Sequence, residues 1–143
     1  MDVSKGFQIE LPSVFIPWSI SEADLLARIA VANPKKITAG YYTIKCVSLS
    51  GLRHMLGFHF LPRVGGRLVE FEFFRDNYPD YPDLSESFSE FQVHLETTFG
   101  PPTEGFGTQN CAWSFGVFVL NHFIQERFGP EEHVRLKKLH ASN

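Results

Sequence analysis

The sequence has little cysteine, no long apolar run and only a small net charge, and each of these limits the class of protein. The 143 residues include two cysteines, Cys46 and Cys111. Both lie in strand-like runs beside aromatics, so we expect buried, reduced thiols rather than a disulfide framework. No window approaches about 18 consecutive apolar residues, which argues against a transmembrane helix. The formal charge of −3 gives no overall bias toward nucleic acid or anionic membranes.

The chain also lacks targeting and linker signals. MDVSKGFQIELP has no positively charged region followed by an apolar run, so it does not fit a signal peptide. No Gly/Ser tract divides the chain. We therefore expect one cytoplasmic domain over 1–143, with no membrane partner, that buries roughly two thirds of its unfolded surface.

Motifs of catalysis, metal binding and nucleotide binding are missing as well. The six His show no HxH, HxxxH or HExxH pattern, and neither a phosphate loop nor a GxSxG elbow occurs. A His59–His122 site would require their strands to be neighbours. Glu131 and Glu132 would face opposite sides of a strand, where we expect them to be solvated. We expect no catalytic residues, no metal and no cofactor.

Phenylalanine is abundant instead, with 15 residues. Four of them alternate along two strand-like runs: Phe58, Phe60, Phe71 and Phe73. They could stack nucleic-acid bases, but two amphipathic helices need a sheet face to cover. We therefore expect these rings in the core and consider nucleic acid an unlikely partner.

Two similar segments, SISE at 19–22 and SFSE at 87–90, predict helix starts. In each, Ser and the Glu three residues later fit a capping box. Leu25, Leu26 and Ile29 follow the first at helical spacing, and the pattern stops before Pro34. Hydrophobic residues at positions 88, 91, 95 and 99 follow the second segment, and this predicted helix ends at Gly100.

Three strand-like runs follow each predicted helix. They are AGYYTIKCVSL, MLGFHFLP and RLVEFEFF after the first, and CAWSF, VFVLNHFI and HVRLKKL after the second. The predicted fold is α+β, in the order β-α-β-β-β-α-β-β-β. An antiparallel sheet of about six to seven strands would carry both helices on one face. The alternatives are a duplicated α-β-β-β unit, with halves 19–75 and 84–139, or a chance similarity of two caps.

Charge is separated along the chain. Residues 28–67 contain seven Lys or Arg and no acid, whereas 70–96 contain eight acids and one base, Arg75. The two segments could neutralise each other across the sheet. Alternatively, part of the acidic segment forms an exposed negative surface that attracts a basic partner.

The most distinctive loop lies in the acidic segment, RDNYPDYPD at 75–83. Prolines stiffen it and tyrosines offer amphipathic contact area, which suits protein recognition. The alternative is a simple lead-in to the second helix. The candidate partner-binding residues are Asp76, Tyr78, Asp80, Tyr81 and Asp83.

Three segments together resemble small bacterial proteins of the toxin-immunity and accessory-gene type. These are IPWS at 16–19, GLRHMLGFHF at 51–60 and the stretch from 113 to 136 that contains NHFIQERFGPEEHVRL. The resemblance implies a protein that binds one protein partner and catalyses nothing. It assigns no site residues.

We therefore expect a non-catalytic immunity or inhibitor protein that occludes a basic toxin domain through an acidic, aromatic surface. The alternative is a small-molecule-binding domain or an enzyme, with an aromatic pocket between sheet and helices. Trp18 and Trp113 could line such a pocket, with His59 or His122 as its polar group.

Overall fold

A computed structural model of the chain describes residues 1–75, 83–126 and 129–139. The fold is α+β, as predicted from the sequence. In chain order the elements are β1 (Gly6–Ile9), β2 (Val14–Pro17), α1 (Glu22–Arg28), a 3-10 turn (Ala30–Ala32), β3 (Lys35–Thr38), β4 (Tyr41–Ser48), β5 (Leu52–Leu61), β6 (Arg67–Phe74), α2 (Leu84–Phe99), β7 (Asn110–Phe115), β8 (Phe118–Glu126) and β9 (Pro130–Lys138).

Seven of the strands form one antiparallel sheet, in the order β3-β4-β5-β6-β9-β8-β7. This confirms the predicted sheet. The predicted element order lacked two strands, because the first predicted strand is the separate β1–β2 hairpin and β3 was not foreseen. The KKIT residues of β3 are all exposed. Because this strand buries neither face, its sequence has no alternation of apolar and polar residues that would indicate a strand.

The core lies on one face of this sheet, here called the inner face. The four phenylalanines predicted for the core are at most 1% exposed: Phe58, Phe60, Phe71 and Phe73. The β1–β2 hairpin covers part of them, with the Phe7 ring 5.5 Å from Phe71 and 5.2 Å from Phe73. Both helices cover the same face. Tyr42 donates a hydrogen bond to Glu22 of α1, and Phe88 of α2 stacks on His122.

Helix α1 begins later than its capping box predicted, and helix α2 begins earlier. Ser21, not Ser19, caps α1 and accepts a hydrogen bond from the Asp24 amide at 3.1 Å. Asp83 caps α2 and accepts from the Ser85 amide at 2.8 Å. The predicted box at Ser87 was wrong because Asp83, an equally good cap, lies one turn earlier. Ser87 is consequently buried inside the helix.

The sheet order has the symmetry of two α-β-β-β units. Strands β4-β5-β6 and β9-β8-β7 are two meanders that meet through their last strands, β6 and β9, as an antiparallel pair. A two-fold axis between those strands would produce this order. The SISE and SFSE segments do not align the units, because the true caps, Ser21 and Asp83, occupy different places in them.

Both cysteines are free and buried, on β4 and β7. Burial raises the pKa of the Cys46 thiol to about 12. Among the residues that the structure describes, no helix has the length and apolar character needed to cross a membrane.

Candidate functional site at the ends of the central strands

The two central strands pair over a short distance and then separate. β6 and β9 are matched from Glu70–Lys137 to Phe73–Val134, whereas β9 continues beside β8 as far as Pro130. Two cavities, of about 260 and 320 Å³, lie at this end of the pair and share Phe74 and Glu132 in their linings. We call them together the β6–β9 cleft.

The outer cavity of the cleft is lined by carboxylates and rings. Its lining residues, among those the structure describes, are Tyr41, Glu72, Phe74, Glu131, Glu132 and His133. Three acids and three rings, without a lysine or arginine in the lining, suit a cationic group.

Glu72 organises the floor of the outer cavity. Its carboxylate accepts hydrogen bonds from the Tyr41 hydroxyl at 2.9 Å and from His59 Nε2 at 3.1 Å. Arg135 Nη2 lies 3.3 Å from its second oxygen. Burial alone would raise the pKa of Glu72, but the two hydrogen bonds and the Arg135 charge hold it below its usual value.

Tyr41 forms the aromatic wall beside this floor. Its ring stacks on His59 with centroids 4.1 Å apart. The ring lies across Gly57 on β5, where a Cβ would come within 2.8 Å of it. Burial and the nearby Glu72 charge raise the pKa of Tyr41 far above its ordinary value, so its hydroxyl stays a donor.

Part of the acidic segment is neutralised within the sheet. Glu70 lies 2.9 Å from Arg135 and 3.6 Å from Lys137. Arg135 and Lys137 belong to β9, so these charges beside Glu70 do not come from the basic segment 28–67. Charge neutralisation across neighbouring strands therefore applies to Glu70 and Glu72. Their basic partners lie on β9, however, and not in the segment 28–67.

His133 and Glu131 form the rim of the outer cavity. His133 stacks on Phe123 with centroids 5.0 Å apart, and its Nδ1 lies 3.3 Å from Arg135 Nη2. Its Nε2 lies 3.3 Å from Glu131 Oε2 without hydrogen-bond geometry, and has no hydrogen-bond partner among the described residues. The Glu131 side chain is 47% exposed. The rim thus offers the exposed Glu131 carboxylate to a ligand, whereas His133 Nε2 is buried.

A chain of buried hydrogen bonds supports the cleft from inside. The Glu132 side chain is 7% exposed, and accepts a bond from Ser87 Oγ at 2.5 Å. Its other oxygen lies 2.6 Å from His122 Nε2, and His122 Nδ1 lies 2.7 Å from Gln92 Oε1. The carboxylate separates the serine from the histidine, unlike a hydrolase triad, in which the histidine contacts the serine.

Arg75 links this chain to the end of β6. It contacts Glu90 through Nη1 at 2.5 Å, and donates to Ser87 Oγ from Nε at 3.0 Å. Its guanidinium lies 4.3 Å from the centroid of the Phe91 ring. Burial lowers the pKa of the nearby His122, with the Arg75 charge acting in the same direction against the raising effect of Glu132.

Of the five predicted partner-binding residues, the structure describes one. Asp76, Tyr78, Asp80 and Tyr81 fall outside the described residues. Asp83 is exposed and caps α2. The two described flanks of the loop, Arg75 and Leu84, both line the inner cavity.

The structure separates the other predicted candidates. His59 and His122 lie on opposite faces, on strands separated by β6 and β9. No group of three potential metal ligands occurs within the described ranges. Trp113 is buried and donates from its indole to the Gly100 carbonyl.

Sequence reasoning missed Tyr41, Glu72 and the Glu131–Glu132 pair as site residues. The pair does face opposite sides, as predicted, but Glu132 is buried in a polar network and not solvated. The sequence did contain a signal for the burial of Glu132. Val134 and Leu136 predicted the inward face of β9, and period two places Glu132 on that same face.

No protein-family model, curated protein or solved structure matches this chain.

Proposed function

We propose that the chain is a non-catalytic protein-binding module that engages a basic partner surface at the β6–β9 cleft. The observation that carries this proposal is the outer cavity, whose described lining combines the exposed carboxylate of Glu131 and the hydrogen-bonded carboxylates of Glu72 and Glu132 with two aromatic rings. The most concrete case is an immunity protein that covers the basic surface of a toxin domain.

The chemistry of the cleft favours an arginine or lysine side chain as the group that enters. Carboxylates form charge-assisted hydrogen bonds with a guanidinium, and aromatic faces attract cations. A cavity of about 320 Å³ accommodates one such side chain.

The framework around the cleft is already in place. Glu72 is held by donors from three strands, and Glu132 is held by Ser87 and His122. Fixed acceptors lose little conformational entropy on binding. The attraction between opposite charges should make association fast and sensitive to salt.

Fluorescence anisotropy with a labelled nona-arginine peptide tests this proposal. We expect binding at low ionic strength, no binding of a nona-glutamate peptide, and a Kd that rises at least tenfold when NaCl is raised from about 50 to about 300 mM, because salt screens the attraction between exposed charges. Glu131→Lys should weaken the arginine complex at least tenfold.

The matched control is Glu104→Lys, which makes the same charge change at an exposed position near the β7 edge. It should change the Kd less than threefold. Equal weakening by both variants would show that only net charge matters, and would overturn the assignment of the cleft.

The toxin-immunity case has its own test. The gene next to this one should encode a secreted protein with a variable C-terminal domain, and co-expression of that domain should kill cells that carry Glu131→Lys but spare cells that carry the natural chain. A neighbouring gene of unrelated type would argue against the immunity role.

The inner cavity supports the second candidate, a small-molecule site between sheet and helix. It has about 260 Å³ and is lined by Phe73, Phe74, Arg75, Leu84, Ser87, Phe91 and Glu132. Thermal shift against a metabolite set tests it. A ligand that stabilises the natural chain but not Phe91→Trp, which fills the cavity, would favour this candidate.

A further inference from the structure

We propose that a second cleft, at the opposite end of β6 and β9, binds an amphiphile with an anionic head, such as a medium-chain fatty acid. This site is independent of the proposed protein-binding function. We call it the basic cleft. Its lining residues, among those described, are Ser4, Lys5, Phe15, Pro17, Trp18, Ser19, Leu61, Arg67, Leu68, Val69, Lys138 and Leu139.

The same short strand pairing creates this cleft. β6 and β9 are matched only from Glu70–Lys137 onward, so the residues before Glu70 on β6 and after Lys137 on β9 lie beyond the pair. The segment from Ser4 to Ser19, which includes the β1–β2 hairpin, closes the other side. The resulting volume is about 840 Å³, within the range of small-molecule sites.

Three cations from three separate parts of the chain line this cleft. Lys5 precedes β1, Arg67 begins β6 and Lys138 ends β9. Arg67 and Lys138 take part in no ion pair among the described residues, and no acid from those residues lines the cleft. This contrasts with Arg135 and Lys137, whose charges are compensated by Glu70.

Apart from Ser4 and Ser19, the rest of the lining is apolar. Leu61 is 49% exposed, Leu139 is 51% exposed and Phe15 is 38% exposed, so large apolar side chains face solvent beside the cations. An exposed apolar surface next to uncompensated positive charge matches a ligand with an apolar body and a single anionic head. A wholly polar anion would leave these side chains exposed.

The ligand that fits both parts of the cleft is therefore one monomeric chain of about ten carbons with a carboxylate head. The head would lie among Lys5, Arg67 and Lys138, and the chain would cover Leu61, Leu139 and Phe15. Trp18 lines the cleft and provides an intrinsic fluorescence reporter.

Isothermal titration calorimetry with decanoate tests the proposal, with the change in tryptophan emission as a second readout. We expect saturable one-to-one binding by decanoate and at least tenfold weaker binding by decanol, which lacks the charge. The double variant Arg67→Gln/Lys138→Gln should weaken decanoate binding at least tenfold.

The matched control is Lys35→Gln/Lys36→Gln, which removes two exposed cations from β3. It should leave the decanoate Kd within threefold. Since all four side chains are exposed, both double variants should fold, which urea unfolding verifies.

A lipid headgroup is the other source of the same chemistry. Vesicles of phosphatidylglycerol, with phosphatidylcholine vesicles as the neutral control, distinguish it from a free fatty acid. Binding to the vesicles without binding to monomeric decanoate would overturn the cleft as a ligand site. Equal affinity for decanoate and decanol would overturn the role of the three cations.

Discussion

At the scale of single residues, burial decides the protonation of His54. Its Nδ1 donates to the Met55 carbonyl at 2.8 Å, and Ser48 Oγ lies 2.5 Å from Nε2. No carboxylate among the described residues pairs with it, so burial lowers its pKa to about 4. The imidazole is therefore neutral and accepts the serine proton in a hydrogen bond. Both side chains are buried in the core.

This predicts a loss of stability in mild acid. Between pH 6.5 and about 4 the unfolded chain binds a proton at His54 that the folded chain does not, so the free energy of unfolding falls as pH falls. The expected loss from pH 7 to pH 5 is about 2 kcal/mol from this residue. The lowered pKa of His122 acts in the same direction.

Urea unfolding at several pH values measures this loss. The non-titrating variant His54→Gln should show a flatter pH dependence over the same window, whatever its stability at pH 7. Equal slopes for the variant and the natural chain would contradict the assignment.

The neighbouring residues Glu131 and Glu132 give the second residue-scale prediction. Glu132→Ala should lower the free energy of unfolding by about 3 kcal/mol, because it leaves Ser87 and His122 buried without their acceptor. Glu131→Ala, at a 47% exposed side chain, should cost about 0.5 kcal/mol or less. Similar losses for the two variants in chemical denaturation would show that the buried network is not what stabilises this end of the sheet.

At the scale of elements, the beginning of α2 rests on one side chain. Asp83→Ala should destabilise the fold by about 1 kcal/mol, because the Ser85 amide loses its acceptor. Asp83→Asn keeps the acceptor and should change stability by only a few tenths of a kcal/mol. Thermal unfolding compares the two. If alanine were as stable as asparagine, the helix would not depend on this cap.

Periodicity predicted the elements well wherever one face was buried. The α2 pattern of Phe88, Phe91 and Leu95 and its end at Gly100 were confirmed. The six longer strands of the sheet were also confirmed. Strand β3 is exposed along its whole length, so no alternation could reveal it. The helix starts were misplaced because two suitable caps lay within one turn of each other.

At the scale of the whole molecule, the short β6–β9 pairing is the decisive feature. It opens the sheet at both ends of its central pair, with carboxylates at one end and three cations at the other. The sequence showed that basic and acidic residues lie in separate segments, but not where the fold places these charges. Which strands become neighbours depends on the two meanders meeting through their last strands, and no local pattern encodes that order.

For the same reason, the sequence pointed to a loop next to the candidate site but not to the residues of the site itself. The loop at 75–83 is distinctive in sequence, and its flanks do reach the cleft through Arg75 and Leu84. The cleft itself is assembled from Tyr41 on β4, Glu72 on β6 and Glu131 on β9. Residues so far apart in the chain form one site only through the sheet order, and each one alone resembles an ordinary strand residue.

The central claim is that the carboxylate-lined cleft receives a basic side chain, and amide chemical-shift mapping tests it most directly. Titration of the ¹⁵N-labelled chain with the nona-arginine peptide should shift the amides of Tyr41, Glu72, Phe74, Glu131 and His133 together, with one common Kd. Shifts scattered over the surface acids, or confined to residues away from the β6–β9 cleft, would contradict it.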